Sequence, residues 1–411
     1  MLLVGVTAVW GAWLDRQGEG ISLHAAPLFG AWQPRFGVAI LAPLVVAALV
    51  VWKGRAIAER LEWKWLIAAA FLAATAWGIG LAFVDVNGIE GLTRGVSSAQ
   101  DFLADVGRIE APAAFLDTFT ERIDDYVVHV RGHPPALGVA LWWMEHWGLG
   151  GAAPFVGLVI AASAAIVVAV LVTVRDVADE ATARAVAPFL VLSPAAIWLV
   201  TSADAIYAAL GAIGVAAIVL ATGRGGRRSD TLAAAGGLVL GAGLFTSYGL
   251  LPLLLVPFVV AVSRRRVRPL VFAGIAMVVV GLAFAAYGFS WIDGLLTTRA
   301  EYAESIAALR PYGYFVLANL AAFAVTLGPA PLAGIAVLRD RRMWLLVGAA
   351  LVAVAAADLS GLSKGEVERI WLPFWPWVAI AAAALTSRVR WWLAAQAGLA
   401  IGVQALIGTP W

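Results

Sequence analysis

The sequence contains no cysteine, and only 13% of its 411 residues are charged. The lack of cysteine excludes disulfides, thiol catalysis and metals held by cysteine. So few charges cannot cover a soluble protein of this length. Because 62% of the residues are hydrophobic, lipid must be the solvent for much of the chain. The net charge of +2 is spread over many turns and gives no indication of a nucleic-acid partner.

A secretory leader is also missing from the first residues. The segment 1–13 is apolar from its start, with no basic region before it and no Ala-x-Ala site after it. Since the segment is short for a membrane span, we expect either that the true start of the chain lies upstream or that this first helix is marginal.

Apolar runs are abundant, and they determine the fold class. A helix needs roughly 20 residues to cross about 30 Å of hydrocarbon. The sequence predicts an all-α polytopic integral membrane protein with about thirteen transmembrane helices and no separate soluble domain. This single unit, 1–411, has N-terminal spans in 1–64, a long outer loop in 85–150 and the remaining spans in 151–411. The predicted spans are 1–14, 37–52, 65–84, 151–174, 186–202, 204–222, 231–248, 250–263, 269–289, 312–337, 343–358, 371–387 and 391–409.

The basic residues predict the orientation of these spans, because cytoplasmic turns are enriched in Lys and Arg. With the N-terminus inside, the cytoplasmic turns carry 18 of the 28 basic residues, and the opposite face receives 19 of the 26 acidic residues. We therefore expect a multi-pass protein of the cytoplasmic membrane. The loop 85–150 would lie on its extracellular or periplasmic side.

The outer loop 85–150 holds most of the unusual chemistry, with ten of the 26 acidic residues and three of the four histidines. Helical spacing of apolar residues in 99–106 and 113–130 predicts helices lying on the membrane surface. The stretch 136–148 is rich in Trp, as interfacial helices are. Gathering carboxylates, His and Arg at one membrane face indicates a reaction or binding site there.

Two features mark the ends of this loop. Asp85 ends a predicted span and opens the loop. The loop closes with His133-Pro134-Pro135, followed by a short amphipathic stretch and the next span.

Two more features lie in the later part of the chain. Ser193-Pro194 precedes Asp204 in a pair of short apolar runs, and a late outer loop runs from Lys364 to Pro373 with Arg369 inside it. Together with the two features of the outer loop, these resemble the GT-C superfamily of polytopic glycosyltransferases across roughly 65–390. The most similar branch contains protein O-mannosyltransferases, the aminoarabinose transferase of lipid A and RgtA/B/C/D-like bacterial enzymes.

The resemblance implies transfer of a sugar, with inversion, from a polyprenyl-phosphate donor to a cell-envelope glycan or glycolipid acceptor at the outer membrane face. Mannose and arabinose are the sugars we would expect. The sequence departs from the mannosyltransferase pattern at one point, because Val86 follows Asp85 where an Asp-Glu pair would stand. This departure leaves the assignment of the catalytic base open.

Glycosyl transfer needs a base for the acceptor hydroxyl and a cationic site for the departing phosphate. Asp85 is our predicted base, since partial desolvation at the membrane boundary raises the basicity of a carboxylate. Asp124 and Asp125 are the alternatives, because they lie close to the His-Pro-Pro element. The alternative without a catalytic role is that Asp85 is a polar residue at the end of a helix. Asp124 and Asp125 would then be solvated on a surface helix.

Arginine suits the donor phosphate, since its planar fork binds two oxygens and keeps its charge. Arg369 is the first candidate because it stands where the chain enters the bilayer, and an unpaired charge there is costly. Its ordinary alternative is an ion pair with Glu366 or Glu368. The predicted phosphate contacts, in order, are Arg369, Arg131, Arg310, Arg299 and Lys364.

A further set of residues is predicted to shape or position the pocket. The two prolines after His133 force a rigid bend, which favours a structural or donor-positioning histidine. His129 lies four residues before it, as in helical zinc pairs, with Asp125 four residues earlier, but Gly132 and the prolines break the helix. We predict no cofactor and leave a divalent metal open. The complete positioning set is His133, His129, Asp204, Tyr302 and Glu368.

Asp204 has two interpretations. It could shape the donor or acceptor pocket, or it could cap the helix that follows, and the capping interpretation is favoured because Ser and Asp are good N-caps.

Two other function classes remain open from the sequence. A lipid or polysaccharide transporter would place ionisable residues near the bilayer midplane and often shows two related halves. The chain has no convincing internal repeat and few charges inside spans, which favours an interfacial enzyme. A noncatalytic lipid-binding subunit with a GT-C-like body would have almost the same sequence.

Overall fold

The computed structural model describes residues 2–85 and 90–411, without the side chain of Asp85. The protein is 74% helical and has almost no sheet. The predicted all-α class is confirmed. The helices before the outer loop are α1 (Leu2–Arg16), α2 (Leu41–Leu49), α3 (Arg55–Arg60) and α4 (Trp63–Asp85), with the 3-10 turn Val38–Ile40 before α2 and the π-helical turn Val50–Gly54 joining α2 to α3.

The outer loop is built of short helices, and longer helices follow it. The loop contains α5 (Glu90–Thr93), α6 (Leu103–Val106), α7 (Pro112–Asp117), the 3-10 turn Ile123–Asp125, α8 (Val128–Arg131) and α9 (Ala136–His146). The rest of the chain contains α10 (Ala152–Val177), α11 (Glu180–Val191), α12 (Ala196–Leu199), α13 (Asp204–Thr222), α14 (Gly226–Leu244), the 3-10 helix Tyr248–Leu254, α15 (Leu255–Ser263), α16 (Arg268–Ala285), α17 (Trp291–Glu304), α18 (Ile306–Leu309), α19 (Tyr312–Leu327), α20 (Pro329–Val337), α21 (Arg341–Leu359), α22 (Val367–Ile370), α23 (Trp375–Ala379), the 3-10 turn Ile380–Ala384 and α24 (Val389–Leu406).

Within the described ranges, six helices are long and apolar enough to cross a membrane, or up to seven if the bent pair α19 and α20 is one span. The multi-pass class is therefore supported, but thirteen spans are not confirmed. The remaining predicted runs are too short, interrupted or carry too many charges. The run 186–202, for example, is split at Ser193-Pro194 into α11 and α12, because a proline cannot continue the backbone hydrogen bonding of a helix interior.

The bend between α19 and α20 measures 99° and is stabilised by a buried glutamine. Gly328 stands at the bend with a φ of +81°, a conformation that favours glycine. The Gln396 amide donates to the Leu327 carbonyl at 3.0 Å, and its oxygen accepts from the Ala330 N–H at 3.0 Å. Gln396 thus satisfies backbone groups that the break would leave unpaired in an apolar environment.

The helical core is centred on α10, α13 and α14, with α4 and α16 packed on its two sides. Trp77 of α4 is fully buried, and its indole N–H donates to the Ser193 carbonyl at 2.9 Å. Val200, which follows α12, lies against Gly78, the residue after Trp77 in α4. These contacts fix the outer end of α4 beside the segment that leads into α13.

The turns predicted to be cytoplasmic come together at one end of the molecule. Arg264 donates to the Asp176 carboxylate at 2.7 Å. Arg342 donates to the Ala178 carbonyl at 2.8 Å, and Arg184 donates to two carbonyls of the turn between α3 and α4. The arrangement agrees with the alternation of turns expected from the basic residues.

The outer loop forms a compact cap at the other end, and this corrects the expected surface helices. The stretches 99–106 and 113–130 contain only single helical turns and one 3-10 turn. Their apolar residues pack inwards: the rings of Phe115, Phe119 and Tyr126 contact one another at 5.3–5.5 Å. The expected membrane-facing stripe is wrong there, because these aromatic residues are buried in the main hydrophobic core of the protein. The predicted Trp-rich helix in 136–148 is present as α9.

The segment before α2 and the last residues of the chain complete this end. Strands β1 (Ala31–Trp32) and β2 (Ile407–Gly408) pair antiparallel. Arg35 donates to the Gln404 carbonyl at 2.8 Å. Phe29 stacks on Trp411 with ring centroids 5.5 Å apart. The pairing brings Trp411 next to the residues of the outer loop that form the cap.

Candidate functional site

A small cavity lies under the cap, where the outer loop, the start of α13, α22 and Trp411 meet. It has room for about one water molecule. Its chemically important side chains are those of Asp101, His129, His133, Asp204, Tyr207 and Arg369. Four of these six were predicted from the sequence, and Asp101 and Tyr207 were not.

Arg369 is the central charge of the site. Its Nη1 donates to Asp204 Oδ2 at 2.9 Å, and its Nη2 donates to Glu366 Oε2 at 2.7 Å. The guanidinium lies 4.3 Å from the ring centre of Trp411. Burial would lower the pKa of Arg369, but the two carboxylates raise it above its ordinary value. The residue is therefore a permanent buried cation, and the expected ion pair is formed with Glu366.

Asp204 is the first residue of α13, and its side chain is buried. The favoured capping interpretation is wrong, because the N-cap position is Ala203 and no side chain caps this helix. The carboxylate turns to Arg369 instead, since a buried guanidinium needs a close partner. Asp204 is thus a member of the pocket.

Asp101 and His129 form a buried pair that the sequence did not indicate. Asp101 Oδ1 accepts from the Phe102 N–H at 2.7 Å, and Oδ2 lies 3.1 Å from His129 Nδ1. The other ring nitrogen, Nε2, lies 3.3 Å from Arg369 Nη2. Asp125, the third member of the possible metal group, is exposed and pairs with Arg122 at 3.0 Å. The contacts from Asp101 through His129 to Arg369 join the outer loop directly to α22.

His133 packs beside this pair. Its Nδ1 lies 2.8 Å from the His129 carbonyl, so that this nitrogen carries a proton. Its ring contacts Tyr207 and Phe102, with centroids 5.0 and 5.8 Å away. Burial lowers the pKa of His133 to about 4. The ring is therefore neutral at neutral pH and offers Nε2 as an acceptor.

Several buried polar atoms at the cavity have no hydrogen-bond partner. In the described part of the chain these include Tyr207 Oη, Arg369 Nε and Trp411 Nε1. Buried polar groups are nearly always hydrogen-bonded, and exceptions are typical of sites that bind water or a ligand. The cavity therefore presents donors to a group that would enter it.

Arg310, Lys364 and Tyr302 hold the loop before α22. Arg310 is buried and donates to the Lys364 carbonyl, and the Lys364 N–H donates to Tyr302 Oη at 2.8 Å. Arg310 Nη1 is 4.0 Å from Glu366 Oε1. These three predicted residues lie next to the central site and position Glu366.

Glu368 faces away from Arg369. Its Oε1 accepts from the Phe29 N–H at 2.8 Å, while Oε2 is buried with no partner among the described residues. Burial raises the pKa of Glu368 to about 7. The carboxyl attaches the segment before α2 to α22 and does not contribute to the cavity.

Other predicted residues lie outside the cavity. Arg131 Nη1 is 3.5 Å from Glu301 Oε2 on α17, and Arg299 is exposed. Asp124 is exposed and lies beside Glu301, whose pKa is raised by burial and by this neighbouring carboxylate. Asp85 ends α4 at the same end of the molecule, and its side chain lies outside the described residues. The predicted role of Asp85 as base stays a prediction.

Little in the local sequence indicated the cavity residues that the sequence analysis missed. Tyr207 follows Asp204 by three positions, so that both lie on one face of α13. Asp101 is separated from His129 by 28 residues of irregular loop. Trp411 reaches the cavity only through the pairing of β1 with β2. Of the three, only Tyr207 could have been found from spacing.

The chain was compared with models of protein families, with curated proteins and with solved structures, and no match was found in any of the three. The resemblance to the GT-C superfamily therefore stays a prediction, and function must be argued from the site itself.

Proposed function

We propose that the protein is a membrane glycosyltransferase. It moves a sugar from a polyprenyl-phosphate donor to a cell-envelope glycan or glycolipid acceptor at the outer face of the cytoplasmic membrane. The observation that carries the proposal is Arg369, a buried cation with an unpartnered Nε in a cavity at the end of membrane-spanning helices. No cofactor forms part of the proposal.

The phosphate of the donor would occupy the place that Glu366 holds beside Arg369. A phosphodiester carries one negative charge and can accept two parallel hydrogen bonds from a guanidinium fork. Glu366 is the more exposed of the two carboxylates, with 22% of its side chain accessible against 5% for Asp204. Arg310 stands 4.0 Å from Glu366 and would take over this carboxylate when the phosphate binds.

Asp204 would stay with Arg369 and hold it in place during the reaction. Asp85 remains our proposed base for the acceptor hydroxyl, since α4 packs Gly78 against Val200, in the segment that leads to Asp204, and ends at Asp85 two turns later. Sugar transfer would then release a polyprenyl phosphate whose developing charge is stabilised by Arg369.

The proposal includes a membrane arrangement. Each of the thirteen apolar runs coincides with a helix, a broken helix or a bent pair. We propose that all thirteen cross the membrane with the N-terminus inside, the shorter ones being accommodated by local thinning of the bilayer. The cap would then lie outside, at the level where the headgroup of a lipid-linked sugar is found.

The proposal is tested by transfer from labelled polyprenyl-phosphate sugars with the purified protein in lipid. Arg369→Gln should lower transfer at least a hundredfold, whereas Arg122→Gln, on the exposed surface of the same cap, should leave it unchanged. Because Arg369→Gln leaves Asp204 buried and unpaired, the double variant Arg369→Gln, Asp204→Asn serves as a charge-balanced partner. Full activity in the folded double variant, or no transfer and no donor binding by the wild type, would overturn the proposal.

A transporter of lipids or polysaccharides is the second candidate, and one observation favours it. The 99° bend between α19 and α20 resembles the discontinuous helices from which transporters build their binding sites. Movement of a fluorescent polyprenyl-phosphate sugar across proteoliposome membranes, without any transfer to an acceptor, would support this candidate. Donor binding with neither movement nor transfer would indicate a noncatalytic lipid-binding subunit.

A further inference from the structure

We infer that His129 takes up a proton when the donor phosphate binds, and that it then holds this phosphate together with Arg369. Asp101 acts as the positioning residue that stabilises the imidazolium. The inference rests on the proposed function, because it assigns a second group to the phosphate site. It goes beyond that function in making the site proton-linked.

The hydrogen bonds of the empty site define the starting state of His129. The Asp101 carboxylate lies 3.1 Å from Nδ1 and accepts a hydrogen bond from the N–H at this position. The Arg369 guanidinium lies 3.3 Å from Nε2, and a guanidinium can only donate. His129 is therefore neutral in the empty site, with the lone pair of Nε2 directed at Arg369.

The same two contacts show what a bound phosphate would change. Nε2 of His129 and Nη2 of Arg369 are 3.3 Å apart. One phosphate oxygen that approaches the two nitrogens from the side would therefore contact both. That oxygen can only accept, and both nitrogens must then donate. Nε2 therefore has to gain a proton as the phosphate enters.

Asp101 makes this protonation favourable. Its side chain is 6% exposed, and its two oxygens contact the Phe102 N–H and His129 Nδ1. A buried carboxylate is strongly stabilised by a close, hydrogen-bonded cation. In the empty site Nε2 faces the donors of Arg369, whose charge Asp204 and Glu366 already offset, and a bound phosphate would give Nε2 a negatively charged acceptor.

The other ionisable groups around His129 do not change this balance of charges. Asp204 lies on α13 behind Arg369, Glu366 precedes α22, and His133 lies on the far side of the His129 backbone. Asp204 remains paired with Arg369, and Glu366 moves to Arg310. The neutral His133 keeps its hydrogen bond to the His129 carbonyl.

The proton also has a role in the transfer step. The acceptor oxygen forms a bond to the anomeric carbon, and the bond from that carbon to the phosphate oxygen breaks with its electron pair on the phosphate. The acceptor proton goes to the base. The departing phosphate gains a second negative charge and receives the proton of His129 Nε2, so that the products leave without net change in charge.

The test uses binding of methyl farnesyl phosphate to the whole protein in phosphatidylcholine nanodiscs. This probe is a phosphodiester with a prenyl chain, carries no sugar and does not titrate near neutral pH. The lipid of the disc is itself a phosphodiester in excess, so that only binding selective for the prenyl compound is measured. Calorimetry in buffers of different ionisation enthalpy then counts the protons taken up.

The wild type is expected to take up close to one proton on binding at pH 8. By linkage, its Kd for the probe should weaken by up to tenfold for each unit of rising pH. His129→Gln keeps a polar side chain that cannot titrate, and it should bind without proton uptake and with a flat pH profile. Asp101→Asn should move the weakening to lower pH, while His146→Asn, at an exposed position on α9 outside the cavity, should retain the slope of the wild type.

Three results would overturn the inference. Binding by the wild type without proton uptake, or proton uptake that persists in His129→Gln, would do so while leaving the proposed glycosyltransferase intact. Failure of the wild type to bind the probe, combined with absent sugar transfer, would overturn the proposed function as well.

Discussion

At the scale of single residues, the site is defined by one arginine shared between two unequal carboxylates. Asp204 is almost completely buried, whereas Glu366 lies on the loop before α22 and is partly exposed. Removing one partner of a buried ion pair costs about 3–5 kcal/mol, while an exposed pair is worth about 1 kcal/mol or less. The two carboxylates should therefore contribute differently to stability and to binding.

Asp204→Ala is expected to destabilise the protein by about 3 kcal/mol, since it leaves a buried guanidinium with one partner. Glu366→Ala should cost less than Asp204→Ala, since the Glu366 side chain is 22% exposed against 5% for Asp204, and it should tighten donor binding, because it clears the phosphate position. Thermal unfolding in detergent and donor titration measure the two effects. Equal losses of stability in both variants would contradict the assignment of Asp204 as the permanent partner.

Glu368 predicts a pH dependence of stability. Burial raises its pKa in the folded protein to about 7, from the ordinary 4.5 that it has in the unfolded chain. Between these values the folded state binds more protons than the unfolded state, so that stability is lost as pH rises. Glu368→Gln cannot ionise and keeps an oxygen for the Phe29 N–H, and it should remove this loss.

The measurement compares the melting temperatures of Glu368→Gln and the wild type between pH 5 and pH 8. The melting temperature of Glu368→Gln should rise relative to that of the wild type as the pH rises. The melting temperature of the exposed variant Glu121→Gln should change in parallel with that of the wild type throughout. A difference that stays constant across this range would contradict the protonation of Glu368 in the folded protein.

At the scale of secondary-structure elements, α14 and α16 pack unusually closely because Gly237 has no side chain. A Cβ atom at Gly237 would lie 2.3 Å from the Ala273 carbonyl oxygen and 2.6 Å from its Cα. Small residues allow this approach between membrane helices, where packing and not the hydrophobic effect drives association. The packing of α16 therefore depends on a single missing methyl group.

Gly237→Ala is expected to push α16 away and to destabilise the protein by about 1–3 kcal/mol, as overpacking usually does. Gly274 of α16 provides the matched control, since nothing lies within 4 Å of its Cβ position. Gly274→Ala should be neutral or slightly stabilising. Similar melting temperatures for the two variants would show that α14 and α16 do not pack as the structure has them.

At the scale of the whole molecule, the two ends have different chemistry. One end consists of arginine-rich turns that contact one another, and the other carries the cap and the cavity. The positive-inside rule predicts that the arginine-rich end lies in the cytoplasm. Because the chain has no cysteine, this orientation can be tested without removing native thiols.

Single cysteines at two exposed positions report the orientation. Glu121→Cys on the cap should react with a membrane-impermeant maleimide in intact cells. Arg227→Cys, in the first turn of α14, should react only after the cells are opened. The reverse pattern would place the candidate site inside the cell and would exclude a donor presented at the outer face.

The sequence was sufficient for the helical membrane class and for four of the six chemically important residues at the cavity. Apolar run length depends only on local sequence, which is why the positions of the long helices were predictable. Arg369, Asp204, His129 and His133 were recognised because charged residues at a membrane boundary are costly and need a reason. Asp101 and Trp411 were not, because their contacts depend on the path of an irregular loop and on a short strand pairing.

The failed prediction of surface helices has a similar physical cause. Phe115, Phe119 and Tyr126 have helical spacing, which cannot distinguish a stripe facing lipid from one facing protein. Gly107 and Pro112 interrupt the loop into short turns, and these turns fold back on one another. These three aromatic residues of the cap are buried in the main hydrophobic core, and its described carboxylates are exposed, face the cavity or, in the case of Asp105, are buried in contacts within the cap.

The long sequence separation between Asp204 and Arg369, 165 residues, has a consequence for biosynthesis. The ribosome delivers α13 to the membrane well before it has made α22. During that interval the Asp204 carboxylate has no cation to accompany it into a low-dielectric interior, where an unpaired charge is strongly disfavoured. We therefore expect the start of α13 to stay in water, or Asp204 to stay protonated, until Arg369 emerges, so that the candidate site would be among the last parts of the protein to mature.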